Sequence, residues 1–313
     1  MSGADVKKQL LSFVIPCYNE EESLELLYDG IISNIGDDYE IIFIDDGSTD
    51  RSREVIRALH AKDENVHLIA FGRNFGKAAA LQAGFNSANG DIVITMDADL
   101  QDEPSEITHF VEKINEGYDV VSGWKIHRND PMEKRLPSKL FNKVTSRLSG
   151  VKLHDFNCGF KAYRREVVRA ISVYGERHRY IPVLAHQRGY RITEIAVSHN
   201  ARPFGRSKYG AKRYLRGFFD LLSVAYLGKY YHKPMHFFGK LGLFSGFVGL
   251  AICVYMTALW VAGESIGNRP LLLLGVLLIM TGIQFFSIGI IGDILVDHGF
   301  KEHYHENHVR ERF

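Results

Sequence analysis

The chain has 313 residues, 46% of them hydrophobic, with 38 Lys and Arg against 37 Asp and Glu and a formal net charge of +1. That length suits one large or two ordinary domains, and so even a charge balance gives no global attraction to nucleic acid, so no nucleic-acid partner is expected. The cysteines, Cys17, Cys158 and Cys253, are odd in number and far apart, which suggests neither a disulfide framework nor a zinc knuckle and fits a reducing compartment.

The first ten residues, MSGADVKKQL, carry no apolar stretch behind their lysines and are not expected to act as a secretory signal. Beyond them, short β-rich runs alternate with helical patterns. LSFVIP (11–16), EIIFID (40–45), VHLIAF (66–71), DIVITMD (91–97) and DVVSG (119–123) predict strands. EEESLELLYDGIISNI and STDRSREVIRALHA predict helices between them, the second capped by Ser48 or Asp50. Such alternation predicts a mostly parallel sheet with helices on both faces and a ligand site outside the carboxyl ends of the strands. Those ends are where the sequence turns polar: PCYNE at 16–20, DDGSTD at 45–50, GRNFGK at 72–77 and DADLQ at 97–101.

Residues 209–234 place Arg213, Arg216 and Asp220 on one side of a helix and Leu215, Phe218, Phe219, Leu222 and Tyr226 mostly on the other. That pattern reads as a helix lying in a membrane interface, or as an ordinary amphipathic helix of the polar domain. LGLFSGFVGLAICVYMTALWVAG (241–263) and PLLLLGVLLIMTGIQFFSIGIIG (270–292) contain no Asp, Glu, Lys or Arg. About 20 apolar residues cross a hydrocarbon core of roughly 30 Å, so the pair predicts a transmembrane hairpin. Lys229, Lys233 and Lys240 precede it and Lys301, Arg310 and Arg312 follow it, while the short turn offers only Arg269 beside Glu264. Both termini are therefore expected in the cytoplasm. Gly242 and Gly246 form a small-xxx-small pair that permits close helix contact, and the glycine-bearing spans make a homo-oligomer an expectation. The histidine-bearing tail reads as solvated. The expected divisions are an α/β domain at 1–207, interfacial helices at 208–234, the hairpin at 235–297 and the tail at 298–313.

Two phosphate-binding motifs fail. GRNFGKAA has three residues rather than four between its glycines and Ala78 where a P-loop needs Ser or Thr, and no G-x-G-x-x-G follows a strand. What remains is a site of carboxylates and loops. Asp97 and Asp99, at i and i+2 of an extended segment, project to one side. A hard divalent cation, Mg2+ or Mn2+, prefers such oxygens together with substrate phosphates and water, and offsets the charge of a diphosphate. A lone D-x-D is common by chance; this one follows a buried strand, with three other polar strand ends nearby.

PCYNEEESL, IDDGSTDRS, RNFGKAAAL, DADLQDEP, DFNCGFKAYRRE and RPFGRSKYG occur in this order. Together they resemble the glycosyltransferase family 2 enzymes of GT-A (Rossmann-like) fold that load a sugar onto polyprenyl phosphate, such as dolichol-phosphate mannose synthases and bactoprenol glucosyltransferases. The resemblance extends over about residues 10–295. It implies that Pro16, Tyr18, Glu20 and Asp46 line the base and ribose pocket, that Gly76 and Lys77 close it, and that Gln101 lies beside the sugar. It also implies that Asp99 is the main metal ligand, with Asp97 near the ribose and diphosphate. Asp155 takes the position of a base, or orients the cationic phosphate ligands.

The acceptor side is argued from charge. Lys125, Arg128, Lys134 and Arg135 cluster after the fifth strand, with Ser138 one helical turn beyond Lys134, a set that can grip a phosphate. Family members tend to carry arginine where this chain has Lys125 and Lys134, and a solvated basic face explains the run equally well. Arg202, Arg206, Ser207 and Lys208 resemble a segment that closes over donor and acceptor phosphates. The implied activity is inverting, metal-dependent transfer of a hexose, glucose from UDP-glucose, to undecaprenyl phosphate at the cytoplasmic face of a bacterial inner membrane. The alternatives are a mannose synthase using GDP-mannose and a non-catalytic nucleotide-sugar or lipid-binding membrane protein. A processive polysaccharide synthase would need a Q-x-x-R-W motif, and HQRGY at 186–190 is not one.

Overall fold

The computed structural model describes residues 9–126, 142–147, 149–175, 177–198, 200, 203, 226, 230, 233–265 and 270–303, with side chains to residue 296. The chain divides into two units, 1–225 and 226–313.

In the first unit the five expected strands form as β1 (Leu11–Cys17), β2 (Tyr39–Asp45), β3 (Val66–Ala70), β4 (Ile92–Thr95) and β5 (Val120–Lys125). Two further strands, β6 (Lys161–Arg164) and β7 (Ile192–Val197), complete a seven-stranded sheet of order β3-β2-β1-β4-β6-β5-β7. Every pairing is parallel except those of β6, which runs antiparallel to both β4 and β5. The helices around it include α1 (Leu24–Ile32), α2 (Ser52–Lys62), α3 (Lys77–Ser87), α4 (Ile107–Asn115), α5 (Arg165–Ala170) and α6 (Ile181–Gln187).

The period of two along each strand divides the core. Phe13, Ile15 and Phe43 pack with Leu24, Leu27, Ile56 and Phe110 of α1, α2 and α4 on one face. Val14, Ile42 and Val93 pack with Leu81, Phe85 and Val167 of α3 and α5 on the other. Each fully buried Phe, Ile or Leu contributes roughly 1.5–3 kcal/mol, so the register of this alternation is strongly specified. Of the two cap candidates, Asp50 bonds the start of α2, its Oδ1 accepting Ser52 N–H at 3.0 Å. Ser48 instead receives Asn19 N–H on its hydroxyl at 2.9 Å and ties the β1 and β2 loops together. The chain winds outward from β1 through β2 to β3 and then resumes on the other side with β4. Strand order therefore reverses between β1 and β4, which is where an open α/β sheet leaves its ligand crevice.

The second unit is a pair of helices, α7 (Pro234–Val261) and α8 (Pro270–His303). Each overruns its expected span at one end: α7 starts at Pro234 rather than 241 and α8 runs past 292 to His303. Only 17% and 11% of their most apolar stretches are buried. Core helices of a soluble domain would be covered, so these exposed apolar faces fit a membrane hairpin. The contact between them is built on glycine. A Cβ on Gly242 would lie 2.7 Å from the Gly282 carbonyl oxygen, and one on Gly249 would lie 2.6 Å from that of Gly275. Ser245 donates across the pair to Leu278 O at 2.8 Å, and Asp293 accepts the Met235 N–H at 3.1 Å in the first turn of α7. Gly242 is thus spent inside the hairpin, while a Cβ on Gly246 would meet nothing within 4 Å.

Most of the amphipathic stretch 209–234 lies outside the described residues. Its Tyr226 and Tyr230 join an aromatic group with Phe237, at ring separations of 5.5 and 5.1 Å.

Candidate active site

The polar loops after β1 and β2 are stitched to each other. Asn19, in the left-handed region at φ 53°, accepts Thr49 N–H on its side chain at 2.8 Å, and Glu20 N–H donates to Ser52 Oγ at 3.0 Å. Pro16, Tyr18 and Glu20 are half-buried along this rim. Asp46 is 5% exposed and its carboxylate accepts Phe75 N–H at 2.7 Å and Gly76 N–H at 2.9 Å. Burial pushes the Asp46 carboxyl above its ordinary pKa against the pull of those two amides. Gly47 allows the clamp: its φ is +77°, and a Cβ there would lie 2.4 Å from the Arg73 carbonyl carbon. Asp46 therefore holds the GRNFGK loop on the end of β2 and delivers Lys77 to the start of α3.

The acids that follow β4 crowd within a few residues, and lysines answer them. Lys77 Nζ pairs with Asp97 Oδ1, and Lys125 Nζ lies 2.9 Å from Asp102 Oδ1. Burial raises the Asp97 carboxyl, but the neighbouring Lys77 charge outweighs it, with help from Lys125 and Lys161, and holds its pKa at about 2. Burial disfavours the Lys125 ammonium, yet Asp102 and Asp97 keep it protonated. Asp99 is 7% exposed and accepts Gln101 N–H at 3.2 Å. Between them Leu100 sits at φ 59°, in the left-handed region. A branched non-glycine residue there is strained, and such strain concentrates at functional sites.

A further loop, HDFNCGF, closes on this group because β6 runs backwards. Its entry, rather than its exit, lies beside the carboxyl end of β4, with Lys161 in register with Thr95 and Ser122. Asp155 is 2% exposed and accepts Asn157 N–H at 3.0 Å, a bond that turns its own loop. Thr95 Oγ1 donates to Gly159 O at 2.7 Å. Lys161 Nζ donates to Cys158 O, and to Phe156 O at 3.4 Å. A Cβ on Gly159 would fall 2.6 Å from Asp97 Oδ2, so glycine is required for the loop to rest on that carboxylate. Behind them is a cavity of about 20 Å³, room for a water, lined in part by Lys77, Asn157, Lys161, His178 and Arg179. Burial, with the Lys77 and Arg179 charges, keeps His178 neutral.

Asp46, Gly76, Lys77, Asp97, Asp99, Gln101 and Asp155 thus belong to four loops, after β2, β3 and β4 and before β6, that interlock. Lys125 sits at the end of β5 and is engaged by Asp102. Arg128, Lys134, Arg135, Ser138, Arg202, Arg206, Ser207 and Lys208 lie outside the described residues. Sequence reasoning missed Asp102 as a lysine partner, and also Lys161, His178 and Arg179. The signal for Lys161 was its place between Phe160 and Ala162, a cation inside an apolar run.

Among the described residues no group of three or more His, Cys, Asp or Glu is arranged to hold a metal unaided. A nucleotide-bound Mg2+ or Mn2+ asks for less: one or two carboxylates, with phosphate oxygens and water completing its shell. Asp97 and Asp99 fit that demand.

A doubly wound sheet with a carboxylate and lysine cluster at its switch point, in a chain that also carries an apolar helical hairpin, defines an α/β protein with a charged ligand crevice and a membrane-type helix pair. The description "Glycosyl transferase family 2" matches residues 12–172, and the chain belongs to that family. It is 35% identical over 308 residues to the dodecaprenyl-phosphate galacturonate synthase of Rhizobium johnstonii, covering 96% of this chain and 91% of that one. It is 38% identical over 292 residues to the undecaprenyl-phosphate 4-deoxy-4-formamido-L-arabinose transferase of Pseudomonas aeruginosa, covering 91% and 85%. Among solved structures, glucosyl-3-phosphoglycerate synthase from Mycobacterium tuberculosis, in complex with Mn2+, uridine-diphosphate and phosphoglyceric acid, aligns with a TM-score of 0.54. That alignment has 19% identity and covers 70% of this chain and 78% of that one. The fold is GT-A and the chain is a glycosyltransferase.

Proposed function

We propose that the chain transfers a sugar from a nucleotide donor to the phosphate of a polyprenyl phosphate, undecaprenyl phosphate in a bacterial inner membrane, with inversion at the anomeric carbon. One observation carries this reading: the likeness to two enzymes named for polyprenyl phosphates covers 96% and 91% of the chain. A lipid acceptor is what a soluble GT-A domain needs a membrane hairpin to meet. The lysines around the hairpin favour the catalytic unit and both termini on the cytoplasmic side.

In the proposed reaction an acceptor phosphate oxygen forms a bond to the anomeric carbon as the bond to the donor diphosphate breaks, and the nucleoside diphosphate departs with that electron pair. The second pKa of a phosphate monoester is about 6, so the nucleophile is already ionised and no strong base is required. Asp155 is then best suited to orienting the acceptor or its cationic ligands. Lys77 supplies positive charge where the diphosphate leaves, and the clamped 73–76 loop closes the nucleotide side. Mg2+ or Mn2+ on Asp99, with Asp97, would offset the leaving-group charge. Catalysis rests on positioning and electrostatics.

UDP-glucose is the donor proposed from the sequence, and neither relative is named for glucose. The test therefore gives the full chain, in vesicles containing undecaprenyl phosphate, labelled UDP-glucose, UDP-galacturonic acid, UDP-4-deoxy-4-formamido-L-arabinose or GDP-mannose. Label entering the organic phase with one of them supports the transferase reading and identifies the sugar. A protein that binds these donors and yields no lipid-linked product from any would favour the non-catalytic alternative.

A further inference from the structure

Lys161 is 3% exposed, and an ammonium so far from water is costly unless its charge is used. A methionine would fill the same shape, and replacing buried charge by apolar side chains is often neutral or stabilising. What the lysine does here is visible in its partners. Its Nζ donates to the carbonyls of Phe156 and Cys158, while Thr95 Oγ1, on the neighbouring strand, takes the carbonyl of Gly159 at 2.7 Å. Three of the four carbonyls in this loop are thereby captured from the sheet. The loop's far side presses Gly159 onto the Asp97 carboxylate, and its first residue follows Asp155. Burial pushes the Lys161 ammonium toward deprotonation, and Asp155 and Asp97 are among the groups that oppose it, so both lie within reach of its field.

We propose that Lys161 is the positioning residue for Asp155: its ammonium, anchored on β6, holds the Phe156–Gly159 loop against Asp97 and so fixes where the Asp155 carboxylate stands. The proposal deepens the transferase reading and rests on it for its kinetic consequence, but not for its structural one. Lys161 touches no reacting atom in this scheme. It acts through the loop.

The test uses the full chain in lipid nanodiscs, as wild type, Lys161→Met, Lys161→Arg, Asp155→Asn and Asp155→Asn/Lys161→Met. Hydrogen exchange is read first, without substrate. Amides of residues 155–159 are expected to exchange at least about 10-fold faster in Lys161→Met, with the β1, β2 and β4 amides unchanged. Lys161→Arg, which keeps the charge, restores part of the protection. Kinetically, Lys161→Met is expected to lower kcat about 10- to 100-fold with the donor KM within about 3-fold, a loss of the size that small misplacement causes. In the Asp155→Asn background the same substitution should cost less than about 3-fold, because the group it positions is already gone. Unchanged exchange at 155–159 would overturn the proposal. So would exchange raised equally across the sheet, which assigns Lys161 to the whole fold, or losses that simply multiply in the double variant. Absence of transferase activity would sink the functional reading while leaving the exchange result to decide this one.

Discussion

Lys125 and Asp102 face each other at 2.9 Å with side chains 11% and 0% exposed, so the turn that follows β4 finds its counter-charge at the end of β5, two strands away across β6. Removing one partner of such a pair leaves an uncompensated charge out of water. Lys125→Met is expected to destabilise the protein by about 3–5 kcal/mol in chemical unfolding, and Asp102→Asn/Lys125→Met by less than the sum of the single changes. Additive losses would mean that the two side chains do not act as a pair.

If Asp99 helps hold a divalent ion, chelation and mutation should part ways. EDTA is expected to abolish product formation, with recovery on adding excess Mn2+ or Mg2+. Asp99→Asn should lose about 100-fold or more and not be rescued by either ion. Undiminished synthesis by Asp99→Asn would remove the metal from this site.

Asp63 offers a pH test away from the acid loop. Its carboxylate accepts hydrogen bonds from Tyr39 at 2.7 Å, Tyr28 at 3.0 Å and Asn65 N–H at 2.9 Å. Burial raises its pKa, but these bonds outweigh it, Tyr39 foremost, and the net shift is downward. A folded pKa below the unfolded one, near 3.9, means stability that is fully present above that value and lost as pH falls through the lower folded pKa. Asp63→Asn should cost about 1–3 kcal/mol at neutral pH, and the gap to wild type should narrow below about pH 4. A gap that is constant from pH 6 to pH 2 would contradict the assignment.

The hairpin glycines separate by geometry. Gly242→Ala and Gly249→Ala drive a methyl to within 2.7 and 2.6 Å of carbonyl oxygens on α8, and each is expected to destabilise the pair by about 1–3 kcal/mol. Gly246→Ala meets open space and should leave thermal stability of the nanodisc-held protein unchanged. Equal effects at all three positions would refute the packing.

How much could be read in advance follows from local chemistry. β1 to β5 were legible because each is an apolar, β-branched run with a polar end, and the spans because no charge interrupts them. β6 was hidden: four residues, KAYR, two of them charged, read as part of a motif rather than as the strand between β4 and β5. β7 was hidden too, since ITEIAV is a half-exposed edge strand. Asp97 and Asp99 announced themselves by spacing, whereas the lysines that answer the acids come from α3 and β5. Only the three-dimensional pairing makes Lys125 a partner of Asp102 instead of one more member of a basic run.

The bond from Met235 to Asp293 ties the first turn of α7 to a late turn of α8, and the Gly242–Gly282 and Gly249–Gly275 contacts repeat the tie farther along. Slipping one helix past the other by a turn, about 5.4 Å, would undo all three at once. The two helices must therefore travel as a single rod, and a thicker or thinner bilayer is met by leaning that rod rather than by shearing it.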